Sequence, residues 1–299
     1  MNRTWTMKEL LLWGSSSLCE AGVEEAANDA WLLFAEAFQI TRARYYMDMG
    51  QVCQMESVSK YQEMIAQRAN RIPLQHIIGR APFMSYEFSV NEQVLTPRAD
   101  TEVLVEAAFA EISRRHLLRS LKKEADEPFK ILDMCTGSGC IAISLCCMAK
   151  EAGIPCEVTA ADLSEGALEV AKTNNEALCE GSVRLVHSNL FAALPDACEF
   201  DIIVSNPPYI KSAEIEELMP EVREHEPRMA LDGMADGLYF YRKLAGEGRR
   251  YLKDQGMVFL EIGYDQGQSV PAIFEDAGYH DCRVRQDLAG LDRVVTAVK

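Results

Sequence analysis

One tetrapeptide, Asn206-Pro207-Pro208-Tyr209, combines residue types that could hold a planar nitrogen group for reaction. Each proline fixes one φ angle and lacks an N–H, so the loop is stiff and its backbone carbonyls remain available as acceptors. The Asn206 side-chain carbonyl and the Pro207 backbone carbonyl could accept both N–H bonds of an amide or amine, while Tyr209 lies over its plane. Such acceptors would stabilise positive charge that develops on the nitrogen as it attacks an electrophilic carbon. The tetrapeptide therefore predicts a catalytic and substrate-binding loop.

The position of the tetrapeptide distinguishes this interpretation from a plain proline-rich turn. The preceding run, Phe200–Ser205, is almost continuously apolar, which is typical of a buried strand. Ligands of open parallel sheets bind at the carboxyl ends of the strands. The tetrapeptide follows such an end directly, so the catalytic interpretation is favoured.

A glycine-containing loop, residues 133–139, lies between a predicted strand and a predicted helix. Glycines allow a sharp turn and close approach of a ligand, and the helix start presents free N–H groups. Asp162 ends the next strand and could accept hydrogen bonds from both hydroxyls of a ribose. The pattern Gly137-x-Gly139-x-x-Ala142 also matches the dinucleotide fingerprint, so the loop alone leaves a nicotinamide cofactor, a methyl donor or no ligand open. The carboxylate of Asp133 favours a cationic ligand, S-adenosylmethionine, and a dehydrogenase has no use for the tetrapeptide.

Strands and helices alternate from residue 129 onward, which predicts an α/β domain with a mostly parallel sheet covered on both faces. The predicted strands are Phe129–Asp133, Cys156–Ala161, Ser182–His187, Phe200–Ser205 and Met257–Ile262. The predicted helices are Ile141–Ala149, Ala167–Leu178 and Leu238–Leu252. Arg283–Gln286 and Arg293–Val298 are predicted to form a terminal antiparallel pair.

The N-terminal quarter shows apolar residues at helical spacing and no strand pattern, with Gly14 and Gly22 marking expected breaks. Ser85–Val90 then alternates with period two, and a turn before Val94-Leu95 predicts a β-hairpin. We therefore expect a small all-helical domain over residues 1–74, a hairpin linker over 75–98 and a catalytic domain over 99–299.

Composition restricts the class of partner. The chain has 299 residues, a formal net charge of −16 and a pI of about 4.8, which argues against nucleic acid as the main partner, although residues 114–123 could form a local basic patch. It has no apolar run long enough for a bilayer and no signal-peptide pattern, so a cytoplasmic, membrane-free protein is expected. The ten cysteines include no Cys-x-x-Cys pair and the five histidines are scattered, so no metal is expected.

The motifs resemble those of the HemK-type methyltransferases along nearly the whole chain. The matching segments are residues 21–33, 73–79, 94–102, 136–139, 205–210, 226–231 and 260–267. The run Pro97-Arg98-Ala99-Asp100-Thr101-Glu102 is the most family-specific of these outside the tetrapeptide.

The resemblance implies a Rossmann-like class I methyltransferase fold that methylates the glutamine side-chain amide of the Gly-Gly-Gln motif in peptide-chain release factors. It implies that S-adenosylmethionine is the donor, S-adenosylhomocysteine the product, and that the helical domain helps dock the release factor. The expected donor site includes Asp133, whose carboxylate favours a cationic ligand. The resemblance adds Cys135, Thr136, Gly137, Ser138, Gly139, Asp162, Asn189, Leu190 and Asn206. The expected substrate site is Arg98, Asn206, Pro207, Pro208 and Tyr209.

Four residues depart from the family pattern. Cys135 replaces a glycine, Asn189 replaces an acid near the adenine, Leu190 replaces an aromatic residue, and His76 stands where tyrosine is frequent. We expect donor affinity to be altered rather than lost, because an amide can hydrogen-bond adenine and a small side chain fits the loop.

Three alternatives stay open at this stage. A DNA adenine or cytosine amino-methyltransferase would use the same tetrapeptide on a flipped base, but the acidic composition and the lack of a basic recognition region disfavour it. A glutamine methyltransferase of a ribosomal protein differs only in its substrate. A non-catalytic adaptor would need neither the donor loop nor the tetrapeptide.

Overall fold

The computed structural model describes residues 4–122, 127–196 and 199–299. Lys123 of the proposed basic patch, the charged stretch 123–126 and Cys198 lie outside these residues. The chain divides into two compact units, one formed by Met1–Gly79 with Met219–His225 and the other by Arg80–Leu218 with Glu226–Lys299. No helix within the described ranges is both long and apolar enough to span a bilayer. The nine described cysteines form no disulfide.

The helices of the chain are short apart from α6. They are α1 Met7–Glu20, α2 Ala26–Phe38, α3 Arg42–Asp48, α4 Met55–Ala69, α5 Leu74–Ile78, α6 Ala99–Leu121, α7 Cys140–Glu151, α8 Glu165–Cys179, α9 Pro220–His225, α10 Arg228–Leu231, α11 Tyr239–Gly248 and α12 Ser269–Asp276. The strands are β1 Arg80–Phe83, β2 Tyr86–Ser89, β3 Phe129–Met134, β4 Cys156–Asp162, β5 Arg184–His187, β6 Phe200–Ser205, β7 Leu252–Glu261, β8 His280–Gln286 and β9 Asp292–Val298.

The first unit is a helical bundle, as the apolar spacing predicts. Thr6 and Glu9 form a capping box that satisfies free N–H groups at the start of α1. Gly14 was expected to break the helix, which is wrong: it lies inside α1, where an added Cβ would stand 2.0 Å from the Tyr61 hydroxyl. The glycine therefore gives Tyr61 room to lie against α1 and to donate to the carbonyl of Ala30 at 3.1 Å.

Buried ion pairs stabilise the same unit. Arg68 is 7% exposed and contacts Asp29 at 2.7 Å and Glu221 at 2.9 Å. Arg71 contacts the second oxygen of Glu221 at 2.7 Å. A buried guanidinium requires such partners, because its desolvation is costly without them. Glu221 belongs to α9, so a segment distant in sequence completes the ion pairs of the helical unit.

The second unit contains a seven-stranded sheet of order β5-β4-β3-β6-β7-β9-β8. Five strands are parallel, and β9 runs antiparallel between β7 and β8. The predicted fold class, a Rossmann-like mostly parallel sheet with a terminal antiparallel pair, is confirmed. The strand predicted at Phe200–Ser205 has the same bounds in the structure and lies near the centre of the sheet.

Side chains that alternate along the strands form a hydrophobic core on each face of the sheet. Ile131, Ile202 and Val204 face one side, where α6, α7 and the β1–β2 hairpin cover them. Leu132 and Ile203 face the other side, which α11 and α12 cover. Successive side chains of a strand point to opposite faces, so a strand buried on both faces is apolar at nearly every position.

Two predicted boundaries are wrong. The helix expected to reach Leu252 ends at Gly248, and β7 begins at Leu252 after a turn through Arg249–Tyr251. The hairpin exists, but Tyr86–Ser89 pairs with the preceding Arg80–Phe83 instead of with Val94-Leu95. Its Phe83 and Phe88 are buried in the core of the second unit, which makes the hairpin an integral part of that unit.

Candidate active site

A cavity of about 460 Å³ opens at the carboxyl ends of β3, β4, β5 and β6. This volume is in the usual range for a small-molecule site. Its wall comes from the glycine loop, the ends of four strands, the segment before α6 and the segment around α10. The lining residues that the sequence predicted are Arg98, Cys135, Thr136, Gly137, Ser138, Asp162, Asn189, Leu190, Asn206 and Pro208. Asp133, Gly139, Pro207 and Tyr209 are not on the wall.

The loop after β3 has left-handed backbone at three positions. Gly137 has φ +55° and Gly139 has φ +81°, while Cys135 has φ +61°. An L residue in this region is strained by about 1–2 kcal/mol, so Cys135 occupies a place where glycine fits without strain. An added Cβ at Gly139 would stand 2.8 Å from Cδ1 of Ile143, whereas one at Gly137 would meet open space. Gly139 therefore permits close packing of α7, and Gly137 leaves the cavity open.

Asp162 ends β4 and lines the cavity. Its two carboxylate oxygens each accept a backbone N–H at 2.9 Å, one from Gly137 and one from Ser164. Burial raises the pKa of Asp162, and these backbone hydrogen bonds oppose that rise. The carboxylate thereby fixes the glycine loop, and each oxygen retains a lone pair for a ligand hydroxyl.

Asp133 lies behind the loop instead of facing the cavity. Its side chain is fully buried, and one oxygen accepts from the Thr136 hydroxyl at 2.6 Å and from the Ala142 N–H at 3.1 Å. The other oxygen is buried with no hydrogen-bond partner among the described residues. Burial raises the pKa of Asp133 to about 7. Asp133 is not part of the cavity lining, so its charge would act on a ligand through the loop, and its role in donor binding stays a prediction.

Side-chain hydrogen bonds fix the two ends of the tetrapeptide. The Ser205 hydroxyl donates to the carbonyl of Met134 at 2.6 Å, which ties the end of β6 to the end of β3. The Gln266 amide donates to the carbonyls of Tyr209 and Gly237, both at 3.2 Å. The carbonyls of Pro207 and Pro208 accept no hydrogen bond from any residue that the structure describes. Two acceptors are therefore available in the loop, as the paired prolines predict.

Asn206 is partly exposed at the cavity wall, and its amide nitrogen donates to the hydroxyl of Thr101 at 3.3 Å. Thr101 is buried, and Glu261 is buried as well, with no hydrogen-bond partner for its Oε2 among the described residues. The Tyr209 hydroxyl lies 3.4 Å from Oε1 of Glu261, so its ring is directed into the core. Burial raises the pKa of the Tyr209 phenol, which therefore stays protonated.

Arg98 lies on the wall and is held by Glu226. Its guanidinium contacts the Glu226 carboxylate at 2.8 Å, and the other Glu226 oxygen accepts from the Thr96 N–H at 3.3 Å. Glu226 is 7% exposed, whereas about half of the Arg98 side chain remains exposed. The pair fixes the segment before α6 against the cavity.

Residues after β5 complete the wall. Asn189 is exposed, and Leu190 is buried with a left-handed backbone of φ +50°. Both line the cavity, so the two departures from the family pattern lie at the site itself.

Comparison with known proteins identifies the family. The PrmC N-terminal domain model matches residues 9–79, and the Methyltransferase small domain model matches residues 108–224. A release factor glutamine methyltransferase of Geobacter sulfurreducens is 38% identical over 97% of this chain and 96% of its own length. Another, of Cereibacter sphaeroides, is 40% identical over 94% of both. The chain belongs to the release factor glutamine methyltransferase family.

The protein is accordingly a methyltransferase. A solved release-factor-specific protein-(glutamine-N5) methyltransferase of Alicyclobacillus acidocaldarius is 29% identical, covers 71% of this chain and 99% of its own, and has a TM-score of 0.38. Within the described ranges of this methyltransferase, no group of three or more histidine, cysteine, aspartate or glutamate side chains is placed to hold a metal ion.

Three residues of the methyltransferase site, Thr101, Glu261 and Gln266, were not predicted as site residues from their chemistry. They lie 105, 55 and 60 positions from Asn206 in sequence, so no local pattern connects them to the tetrapeptide. The signal that could have found them was the resemblance itself, because Thr101 lies in the family-specific run and the other two in the segment 260–267. The structure brings the three side chains to the tetrapeptide.

Proposed function

We propose that this methyltransferase transfers a methyl group from S-adenosylmethionine to the side-chain amide nitrogen of the glutamine in the Gly-Gly-Gln motif of peptide-chain release factors. The observation that carries the proposal is the acceptor set at the end of β6. Asn206 has its amide N–H engaged by Thr101 and its carbonyl oxygen unused, beside two proline carbonyls without hydrogen bonds from the described residues. The names of the relatives support the same substrate.

The cavity residues fit the donor chemically. Asp162 offers lone pairs for the ribose hydroxyls, and Asn189 offers an amide for adenine. Asp133 lies behind the loop, and in its ionised form its negative charge would favour a cationic ligand over a pyrophosphate. When bound, S-adenosylmethionine supplies an electrophilic methyl group on a sulfonium. The loop residues Cys135 to Gly139 and Leu190 would hold the rest of the donor.

The tetrapeptide residues would position the nitrogen. A glutamine amide is a poor nucleophile because its lone pair is delocalised into the carbonyl. Oδ1 of Asn206 and the Pro207 carbonyl would accept its two N–H bonds, which orients the nitrogen and stabilises the positive charge that forms on it. The N-methylated amide then releases one proton to water, since a nitrogen-protonated amide is a strong acid. No side-chain base is required, and no histidine lies on the described wall.

We also propose that Arg98 contacts the substrate and that the helical domain, residues 1–74, docks the release factor. Residues 75–98 would connect it to the catalytic domain, 99–299, and their hairpin packs into the core of that domain. About half of the Arg98 side chain is exposed beside the cavity, which leaves it accessible to a protein substrate.

The decisive experiment is a methyl-transfer assay with labelled S-adenosylmethionine and a purified bacterial release factor. The matched control is the same release factor with Gln→Ala in the Gly-Gly-Gln motif. We expect label on the first protein and none on the second, with mass spectrometry placing one methyl group on that glutamine. Donor binding without label on either protein would refute this substrate and direct the search to ribosomal proteins or DNA.

A further inference from the structure

Met234 is an exposed apolar residue on the wall of the cavity. It lines the cavity together with Asn206 and Pro208, and it is 46% exposed. Its backbone has φ +69°, a left-handed conformation that residues other than glycine disfavour. An exposed side chain contributes little to the core, so burial in the fold does not account for this strain. Residues that keep a strained backbone are frequent where a protein binds its ligand.

Hydrogen bonds hold the backbone of Met234 on both sides. Its N–H donates to the Asp232 carboxylate at 2.9 Å, and its carbonyl accepts from the N–H of Ser212 at 3.0 Å. The Ser212 hydroxyl donates to the same oxygen of Asp232. Ser212 follows Tyr209 by three residues, so these contacts fix Met234 beside the chain that leaves the tetrapeptide.

The segment around Met234 packs directly on the end of the tetrapeptide. The N–H of Gly233 donates to the carbonyl of Ile210 at 2.8 Å. A Cβ added to Gly233 would stand 2.8 Å from Cα of Tyr209, and one added to Gly237 would meet the Tyr209 carbonyl. Glycine at these two positions therefore permits the close approach, whereas the long side chain of Met234 between them lines the cavity.

The sheet separates Met234 from the predicted donor loop. Residues 135–139 and Asp162 come at the ends of β3 and β4, whereas Met234 is held by the chain that follows β6. Strand β3 lies between β4 and β6. Met234 is therefore on the side of the cavity where Asn206 and the Pro207 carbonyl are proposed to hold the substrate nitrogen.

We propose that Met234 is a substrate-binding residue whose side chain packs against the two methylene groups of the substrate glutamine. The inference rests on the proposed function, in which the amide of that glutamine meets Asn206. A glutamine side chain is apolar between its amide and its backbone, so the acceptors of the tetrapeptide leave this part without a partner. Methionine is unbranched and flexible, and it adapts to the surface that it meets. The apolar surface that the contact buries contributes to substrate binding.

Replacement of Met234 by glycine separates this role from a role in folding. Glycine adopts φ +69° without strain, so the variant should melt at or above the wild-type temperature. We expect its KM for the release factor to rise about 4–15-fold, the effect of one to two buried methylene groups, with kcat and donor KM within about twofold. The matched control is Gln255→Gly, at an exposed position of β7 with φ +61° that is not on the cavity wall, and it should keep the wild-type KM.

Two further variants test whether the side chain itself or added backbone freedom is the cause. Met234→Ala keeps a Cβ, and its KM for the release factor should rise as that of Met234→Gly does. Met234→Leu restores an apolar side chain and should recover most of the wild-type KM. A wild-type KM in Met234→Gly, a rise that Met234→Leu does not reverse, or a rise in donor KM in its place would overturn the proposal. A wild-type protein that leaves the release factor unlabelled would instead refute the proposed function, and this inference with it.

Discussion

Replacement of Asn206 by alanine is the sharpest test of the reaction loop. The variant removes one acceptor that the substrate nitrogen needs most when it becomes positively charged. Removal of a single preorganised group of this kind costs about 10²–10³ in kcat, or about 2.7–4 kcal/mol. The fold should lose little, because Asn206 is partly exposed and makes one long hydrogen bond of 3.3 Å, worth less than about 1 kcal/mol.

The assay measures kcat with saturating release factor, and calorimetry measures donor affinity in the same preparation. Since Asp162 and the glycine loop remain intact, donor affinity should change less than about threefold, a small free energy. Glu176→Ala, at an exposed position of α8 away from the cavity wall, is the control for an alanine substitution in the same unit. Asn206→Ala with a kcat within about threefold of wild type would refute the acceptor role, because threefold corresponds to about 0.65 kcal/mol, at most about a quarter of the expected free energy.

Three further predictions concern the donor loop. Asp162→Ala should weaken donor binding by about 10–100-fold in calorimetry, because it removes charge-assisted acceptors and the anchor of the Gly137 N–H. Burial raises the pKa of Asp133 to about 7, and a bound cation favours the ionised form of this carboxyl. Donor affinity should therefore increase as the pH rises through about 7 and decrease as the pH falls below it. Calorimetry in buffers of different ionisation enthalpy should detect the proton that Asp133 releases when the donor binds. Gly139→Ala should lower the free energy of unfolding by about 2 kcal/mol, because the added Cβ would meet Ile143. Gly137→Ala should lower it less, because its Cβ would meet open space. Equal melting temperatures of the two variants would contradict this.

The sequence predicts secondary structure best where a segment is buried on both faces and is therefore apolar throughout. Phe200–Ser205 is buried on both faces, so its apolar run begins and ends where the strand does. The glycine loop and the tetrapeptide are local in sequence, and their positions at strand ends follow from the alternation of strands and helices. Most of the predicted donor residues accordingly lie on the wall of one cavity.

Sequence patterns fail where a local signal has two interpretations. Pro82 lies inside β1, and proline is rare within strands, so the residues before Tyr86 carry no pattern that predicts the strand paired with Tyr86–Ser89. Apolar residues continue at helical spacing through Leu252, which concealed the turn after Gly248. The burial of Asp133 likewise has no signature in a seven-residue loop, because it depends on how α7 packs.

Contacts between residues that are far apart in sequence leave no periodic pattern, so they could not be predicted from the sequence. Thr101 accepts from Asn206 and Glu261 accepts from Tyr209, and these two partners of the tetrapeptide come from a helix before it and a strand after it in the chain. Only the assembled sheet brings them together. The roles of such residues follow from the structure once their hydrogen bonds are counted.

The discontinuous helical unit has a consequence for the order in which the chain is made. Arg71 precedes its partner Glu221 by 150 residues, and Arg68 shares that carboxylate. At about 5–20 residues per second, a ribosome would present the helical segment roughly 8–30 s before α9 emerges. During that interval Arg68 has only Asp29 among the carboxylates that it contacts in the finished unit. Closure of the helical unit therefore waits for translation of most of the chain, and a nascent protein halted before residue 219 would lack the ion pairs that complete it.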